Sequence, residues 1–260
     1  MRKLIHGLVD FRERLAPQYQ DTFAQLALGQ KPDVLFVGCS DSRVVPNLFA
    51  STEPGDLFVI RNVGNLVAPC DSHGANLFDR SEGAAIEYAV EILGVADIVV
   101  CGHSECGATL ALLDEKRQLT PNLKSWLRHG LPSAERLRNG ERLDPTLPLH
   151  NQLSQINVLQ QIEHLKSYSV VKQAIAEKRL RLHAWYFNIS KVEVETYDVD
   201  AERFLPIDRE MAEHLLETMG EDGPKTDKDG IVPWQYAAQN KKNTPLKNQK
   251  CCNAEYESEA

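Results

Sequence analysis

The chain has 260 residues, 42% hydrophobic and 25% charged, with a formal net charge of −8 at neutral pH and six cysteines. Ordinary composition at this length argues for one large globular domain, or at most two, able to bury a core without disulfide staples. The acidic balance argues against a general nucleic-acid binder, and no apolar run approaches the roughly 18–20 residues that span a bilayer.

The N-terminal segment MRKLIHGLVDFRERLAPQYQ starts basic, but Asp10 and Glu13 interrupt it. Leu4, Ile5, Leu8, Phe11 and Leu15 fall near helical spacing. The pattern predicts an amphipathic helical arm over residues 1–30 that docks on protein, rather than a signal or transit peptide. Three short apolar runs follow, DVLFV at 33–37, LFVI at 57–60 and DIVVC at 97–101. None alternates, as expected of strands buried on both faces in a parallel sheet. Gly38 and Gly102 read as the stops of the first and third.

Between the second and third runs, EGAAIEYAVEILG at 82–94 repeats apolar residues at three and four and ends on Gly94, a helix with its stop. Strand, helix, strand is a crossover unit. Further helices are expected over 123–138 and 151–178, the latter broken near Ser167. Two strands follow at 182–188 and 191–198. In the second, Val192, Val194 and Thr196 alternate with Glu193 and Glu195, so the glutamates are expected to meet solvent. Asp208 caps a last helix at 209–219. The predicted fold is α/β, a mainly parallel central sheet with flanking helices, an antiparallel edge strand and the N-terminal helical arm. Residues 1–219 are expected to form one domain, and the polar, glycine-bearing stretch 220–260 a flexible tail.

Cysteines in such a chain are more often buried, metal-bound or reactive than paired. Cys39 follows the first strand, and His103 and Cys106 follow the third in CGHSECG. Ligands in α/β sheets collect at the carboxyl ends of strands. Two thiolates and an imidazole with an open fourth position suit zinc, and soft sulfur disfavours magnesium and calcium. Asp41 and Arg43 follow Cys39 at two and four, and alternation along an extended segment would put all three on one side. Cys70-Asp71-Ser72-His73 is a second C-x-x-H pair without a strand-end partner. His73, His150 and His183 read as surface or structural, and Cys101 as buried. No G-x-G-x-x-G follows a strand, which argues against a dinucleotide enzyme.

CSDSR at 39–43, EPGDLFVIRNVGN at 53–65, GAAIEYAV at 83–90 and CGHSECG at 101–107 together resemble the β-class carbonic anhydrases. The resemblance implies one zinc ion (Zn2+) per subunit on Cys39, His103 and Cys106, and the reversible hydration of carbon dioxide to bicarbonate and a proton. It implies that Asp41 accepts a hydrogen bond from zinc-bound hydroxide and that Arg43 holds Asp41. Gly107 would turn a backbone N–H to the substrate, and Tyr88 would line the pocket at a subunit interface. It implies a homodimer or higher homo-oligomer, cytoplasmic or within a carbon-fixing microcompartment. Some members have a regulatory bicarbonate pocket of Trp, Arg and Tyr. Phe36, Arg61 and Phe187 stand at those places, so cooperative bicarbonate inhibition is not expected. Two alternatives remain open. One is a hydrolase of carbon disulfide or carbonyl sulfide on the same scaffold. The other is a binding role in which the tail, with IVPWQYAA at 231–238 and Cys251-Cys252, recruits a protein partner.

Overall fold

The computed structural model describes residues 1–71 and 80–218. The expectations for His73, the 220–260 tail, its apolar patch, Cys251 and Cys252 lie outside the described residues.

The arm is a continuous helical rod, α1 (Arg2–Asp10), a π-helical stretch at Phe11–Leu15, and α2 (Ala16–Leu26). β1 (Val34–Cys39) connects through the short α3 (Pro46–Phe49) to β2 (Leu57–Asn62). The crossover helix α4 (Arg80–Glu87), prolonged by a π-helical segment at Tyr88–Leu93 and stopped by left-handed Gly94, leads to β3 (Asp97–His103). The next crossover contains α5 (Gly107–Leu113), α6 (Pro121–Leu127), α7 (Leu131–Arg138), α8 (Leu149–Leu165) and α9 (Ser169–Ala176). It ends at β4 (Arg181–Asn188), followed by β5 (Glu193–Asp198), β6 (Arg203–Pro206) and α10 (Arg209–Thr218). Asp208 caps α10, its Oδ1 accepting the Met211 N–H at 2.8 Å. Among the described residues no helix is long and apolar enough to cross a membrane.

The six strands form one sheet in the order β2-β1-β3-β4-β5-β6. The first four are parallel and the last two antiparallel, the architecture expected of the pattern. From β1 the chain moves outward to β2, and from β3 it moves the other way to β4. The carboxyl ends of β1 and β3 are therefore the switch point where such sheets hold their ligands. One face carries the main core, in which Leu35, Val37, Ile98, Val100 and Leu182 meet Ile86, Val158 and Ile162. On the other, Phe36, Val99, Cys101 and Phe187 pack with Val44 and Phe49.

Several boundaries differ from expectation. β1 and β3 run through their glycines to Cys39 and His103, so Cys39 is the last residue of its strand. Gly38 and Gly102 are places of close approach. A Cβ on Gly38 would stand 2.8 Å from the Phe36 ring, and one on Gly102 would stand 2.6 Å from Val158 Cγ2 and 3.2 Å from the Ser154 carbonyl oxygen. Glycine at 102 thus lets α8 lie against β3. The expected 123–138 helix is two helices about a tight turn at Arg128–Gly130, with Pro132 opening the second. Glu195 is not solvated but 8% exposed. β6 prolongs the sheet past β5, making β5 an interior strand, and burial pushes the Glu195 carboxyl up.

At the amino ends of β3 and β4, Arg181 Nε and Nη2 each lie 2.5 Å from an Asp97 carboxylate oxygen, and His183 Nε2 lies 2.7 Å from Oδ1. His183 is structural, as expected. Burial alone would raise Asp97, but the His183 and Arg181 bonds outweigh it and hold the carboxyl below its usual range. The unfolded carboxyl therefore takes its proton at higher pH than the folded one. The stabilisation is complete above the ordinary carboxylate range and is lost as pH falls from there through the lower value of the folded carboxyl. Asp97→Asn is expected to cost roughly 3–5 kcal/mol at neutral pH. Its deficit should shrink in acid, and urea unfolding at both pH values checks this. Gly102→Ala should cost roughly 1–3 kcal/mol by the same measurement, because α8 must move.

Candidate metal centre

Cys39 Sγ, a ring nitrogen of His103 and Cys106 Sγ lie within 4.8 Å of one another, and all three residues are buried. β1 and β3 deliver the first two at the switch point, and Cys106 caps α5 after a short loop. Cys39 Sγ accepts the N–H groups of Asp41 and Gly64, each at 3.4 Å. Gly64 has φ of +86°, and a Cβ there would stand 2.7 Å from Ala108, so only glycine fits that turn against α5. His103 Nδ1 lies 2.8 Å from the Ser104 carbonyl oxygen. A carbonyl only accepts, so Nδ1 carries the proton and Nε2 presents a lone pair. That Nε2 is buried and has no hydrogen-bond partner among the described residues.

The Cys106 thiol beside it and the two backbone N–H groups hold the Cys39 thiol far below its ordinary range, against the opposing effect of burial. The adjacent Cys39 sulfur, together with burial, pushes the Cys106 thiol up. A soft divalent cation would favour the thiolate form of both. Two thiolates and a neutral imidazole with a free Nε2 form a donor set that fits zinc. Leu66, Ala108, Ala111 and Leu127 pack with the two cysteines and keep the surroundings apolar.

Asp41 and Arg43 meet beside this cluster, but not by alternation. The chain turns after Cys39, with the Val44 N–H on the Asp41 carbonyl at 3.0 Å. Asp41 Oδ1 accepts the Arg43 backbone N–H at 3.0 Å. The guanidinium folds back onto the carboxylate through Nε to Oδ1 at 2.9 Å and Nη2 to Oδ2 at 2.8 Å. This two-pronged contact holds the Asp41 carboxyl well below the usual range, against the opposing effect of partial burial.

Arg61, on β2, donates twice to the Cys39 carbonyl, at 3.0 and 2.7 Å, and once to the Asp41 carbonyl, at 2.7 Å. It thereby clamps the turn that carries ligand and carboxylate. Phe36 and Phe187 both pack on Phe49, with ring centroids 6.1 and 4.8 Å apart. Gly107 opens α5, and a Cβ there would meet nothing within 4 Å among the described residues. Tyr88 is 43% exposed and packs on Phe58 of β2 with ring centroids 5.9 Å apart. Cys101 is fully buried, and burial pushes its thiol up. Cys70 is half-buried, and burial again raises it.

The expected 151–178 helix is α8 followed by α9, with the break at Lys166–Tyr168, but the sequence reading missed what α8 does at the site. Ser154 Oγ donates to the His103 carbonyl at 2.8 Å, and Asn157 Nδ2 donates to the Gly64 carbonyl at 3.1 Å. Gln161 Oε1 accepts the Val67 N–H at 2.9 Å. The signal was a polar stripe, Asn151, Ser154, Asn157 and Gln161, at helical spacing. Such a stripe is ordinarily read as a solvated face, yet all four are buried.

Fold and centre define an α/β protein with a two-cysteine, one-histidine cluster able to hold a cation at the carboxyl ends of a parallel sheet. The carbonic anhydrase family profile matches residues 34–194. The chain is 40% identical over 196 residues to a carbonic anhydrase of Synechococcus elongatus, covering 75% of this chain and 70% of that one. It is 37% identical over 219 residues to a carbonic anhydrase of Pseudomonas aeruginosa, covering 82% and 93%. Among solved structures it matches the β-carbonic anhydrase CcaA with a TM-score of 0.72 at 38% identity, over 79% of this chain and 98% of that one. It also matches a tetrameric β-carbonic anhydrase of Sordaria macrospora, with a TM-score of 0.64 at 33% identity, over 75% and 95%. The chain belongs to the β-class carbonic anhydrases and is a carbonic anhydrase.

Cys39→Ser and His103→Ala are expected to lose bound zinc, whereas Cys101→Ala keeps it. Metal analysis after loading and desalting decides.

Proposed function

We propose that this enzyme carries out zinc-dependent, reversible hydration of carbon dioxide to bicarbonate and a proton. In this reading Cys39, His103 and Cys106 hold one zinc ion per subunit, and Asp41 and Arg43 orient the nucleophile. One observation carries it. Two cysteine sulfurs and a lone-pair-bearing imidazole nitrogen are buried together, with the imidazole nitrogen unpartnered among the described residues. Zinc held there would make a water nucleophilic at neutral pH, an effect for which carbonic anhydrases are the standard example.

The residues around the ligands supply direction. An ionised carboxylate accepts hydrogen bonds and cannot donate them. Asp41, kept ionised by Arg43, therefore draws the proton of the nucleophile toward itself and leaves a lone pair for the carbon of carbon dioxide. Arg43 acts through Asp41 as a positioning residue, its planar fork fixing the carboxylate in rotation as well as in charge. Gly107 leaves room beside Cys106 and offers a backbone N–H to the oxygen on which charge develops.

The reading extends to a homo-oligomer. Neither helix of the arm contains a buried residue. Leu4, Ile5 and Leu8 are 65%, 54% and 68% exposed, an apolar face that calls for a partner surface. Val59 of the outermost strand, with Tyr88 and Ile92 on the adjoining π-helical segment, is also exposed. The similar enzyme of Sordaria macrospora is tetrameric.

Asp41→Asn is expected to keep its zinc and to lose about a hundredfold in turnover by stopped-flow carbon dioxide hydration. Full activity in that variant would refute the assigned role, and inactivity of the zinc-loaded parent would refute the reaction itself. Removal of residues 1–26 should yield a smaller species in light scattering, and an unchanged mass would count against arm-mediated assembly.

A further inference from the structure

Glu105 stands between two of the metal ligands with φ of +58°, in the left-handed region. A residue with a Cβ adopts that conformation only where its surroundings hold it. What holds it comes from α8. Asn151 Oδ1 accepts the Glu105 backbone N–H at 2.8 Å, and Asn151 Nδ2 donates to Glu105 Oε1 at 3.1 Å. His150 Nε2 lies 3.1 Å from Glu105 Oε2. Asn151 is 6% exposed. Asn151 lies in the first turn of α8, three residues past its N-cap Pro148, and both its polar side-chain atoms bond the 103–106 loop.

With its N–H and its carboxylate both tied to α8, Glu105 has its carbonyl left for a further partner. That partner is Arg43, whose Nη2 donates to it at 3.0 Å and to Asp41 Oδ2 at 2.8 Å. The Arg43 side chain is 47% exposed. Its bonds to Asp41 lie within one turn and would move with that turn. The Glu105 carbonyl instead ties the guanidinium to the loop that carries His103 and Cys106. A chain of contacts thus runs from Asn151 through Glu105 to Arg43 and Asp41, and every link is a hydrogen bond of normal length.

We propose that Asn151 is a positioning residue for carbon dioxide hydration, holding the Glu105 carbonyl where it fixes Arg43 and so sets the direction of Asp41. The proposal rests on the reading that Asp41 orients the nucleophile. Stopped-flow hydration by zinc-loaded protein tests it in a double-mutant cycle of Asn151→Ala with Arg43→Ala. Asn151→Ala is expected to lower kcat/KM about tenfold, the weight of one hydrogen bond, with zinc content unchanged. Arg43→Ala should lower it at least as far, and the double variant no further than Arg43→Ala alone. Wild-type kcat/KM in Asn151→Ala, or losses that multiply in the double variant, would overturn the proposal and leave the Asp41–Arg43 reading standing. Wild-type kcat/KM in Arg43→Ala would overturn both, because Asn151 would then have nothing to position. If Asn151→Ala fails to fold or loses zinc, an exchange of partners decides. Asn151→Asp sets carboxylate against carboxylate and should be slow. Adding Glu105→Gln returns the missing donor and should restore the rate severalfold, and no recovery would overturn the proposal.

Discussion

Loops that leave a sheet to surround a buried cluster of cysteines and a histidine carry backbone amides and carbonyls away from water, and each needs a partner. In this protein the partner is chiefly one helix, α8. Besides a core face of Leu153, Ile156, Val158, Ile162 and Leu165, it buries the polar Asn151, Ser154, Asn157 and Gln161. They bond the Glu105 N–H, the His103 carbonyl, the Gly64 carbonyl and the Val67 N–H. Those contacts span the loop after β2 and the loop after β3. Gly64, gripped through its carbonyl, is also the residue whose N–H reaches Cys39 Sγ. The helix supplies no ligand, yet it organises the surroundings of all three.

This arrangement depends on glycines that look like strand stops. Gly102 lets α8 approach β3 closely enough for Ser154 to reach the His103 carbonyl. Gly64 lets the loop after β2 turn against α5. Arg61 works from the opposite side, holding the carbonyls of Cys39 and Asp41. The site therefore sits between a helix with a polar inner face and an arginine on a strand. Side chains from distant parts of the chain hold its backbone, and Leu66, Ala108, Ala111 and Leu127 pack around the sulfurs.

Much of this was legible in the residues. Unbroken apolar runs marked the parallel strands, and C-x-D-x-R with H-x-x-C marked the ligand loops. The boundaries were misread where glycine was taken as punctuation, since periodicity cannot tell a stop from a site of close approach. The alternation at 191–198 suggested a solvated glutamate face, but β6 makes β5 an interior strand, and Glu195 is buried. Cys39, Asp41 and Arg43 were expected on one side of an extended segment. A turn after Cys39 brings Arg43 onto Asp41 instead, because the Asp41 carboxylate binds the Arg43 backbone N–H as well as its guanidinium.

The sequence by itself determined the α/β class, every strand but β6 and the residue types at the centre, because strand propensity, hydrophobic continuity and donor chemistry are local properties. Only the tertiary structure decided that the ends of β1 and β3 meet at the switch point. It also decided that the polar stripe of α8 faces inward and that Asn151 reaches a loop 46 residues away. The physical reason is that a stripe of amides at helical spacing suits water and a set of buried backbone groups equally well. Which of the two it meets depends on what packs against the helix, and that is a property of the whole fold.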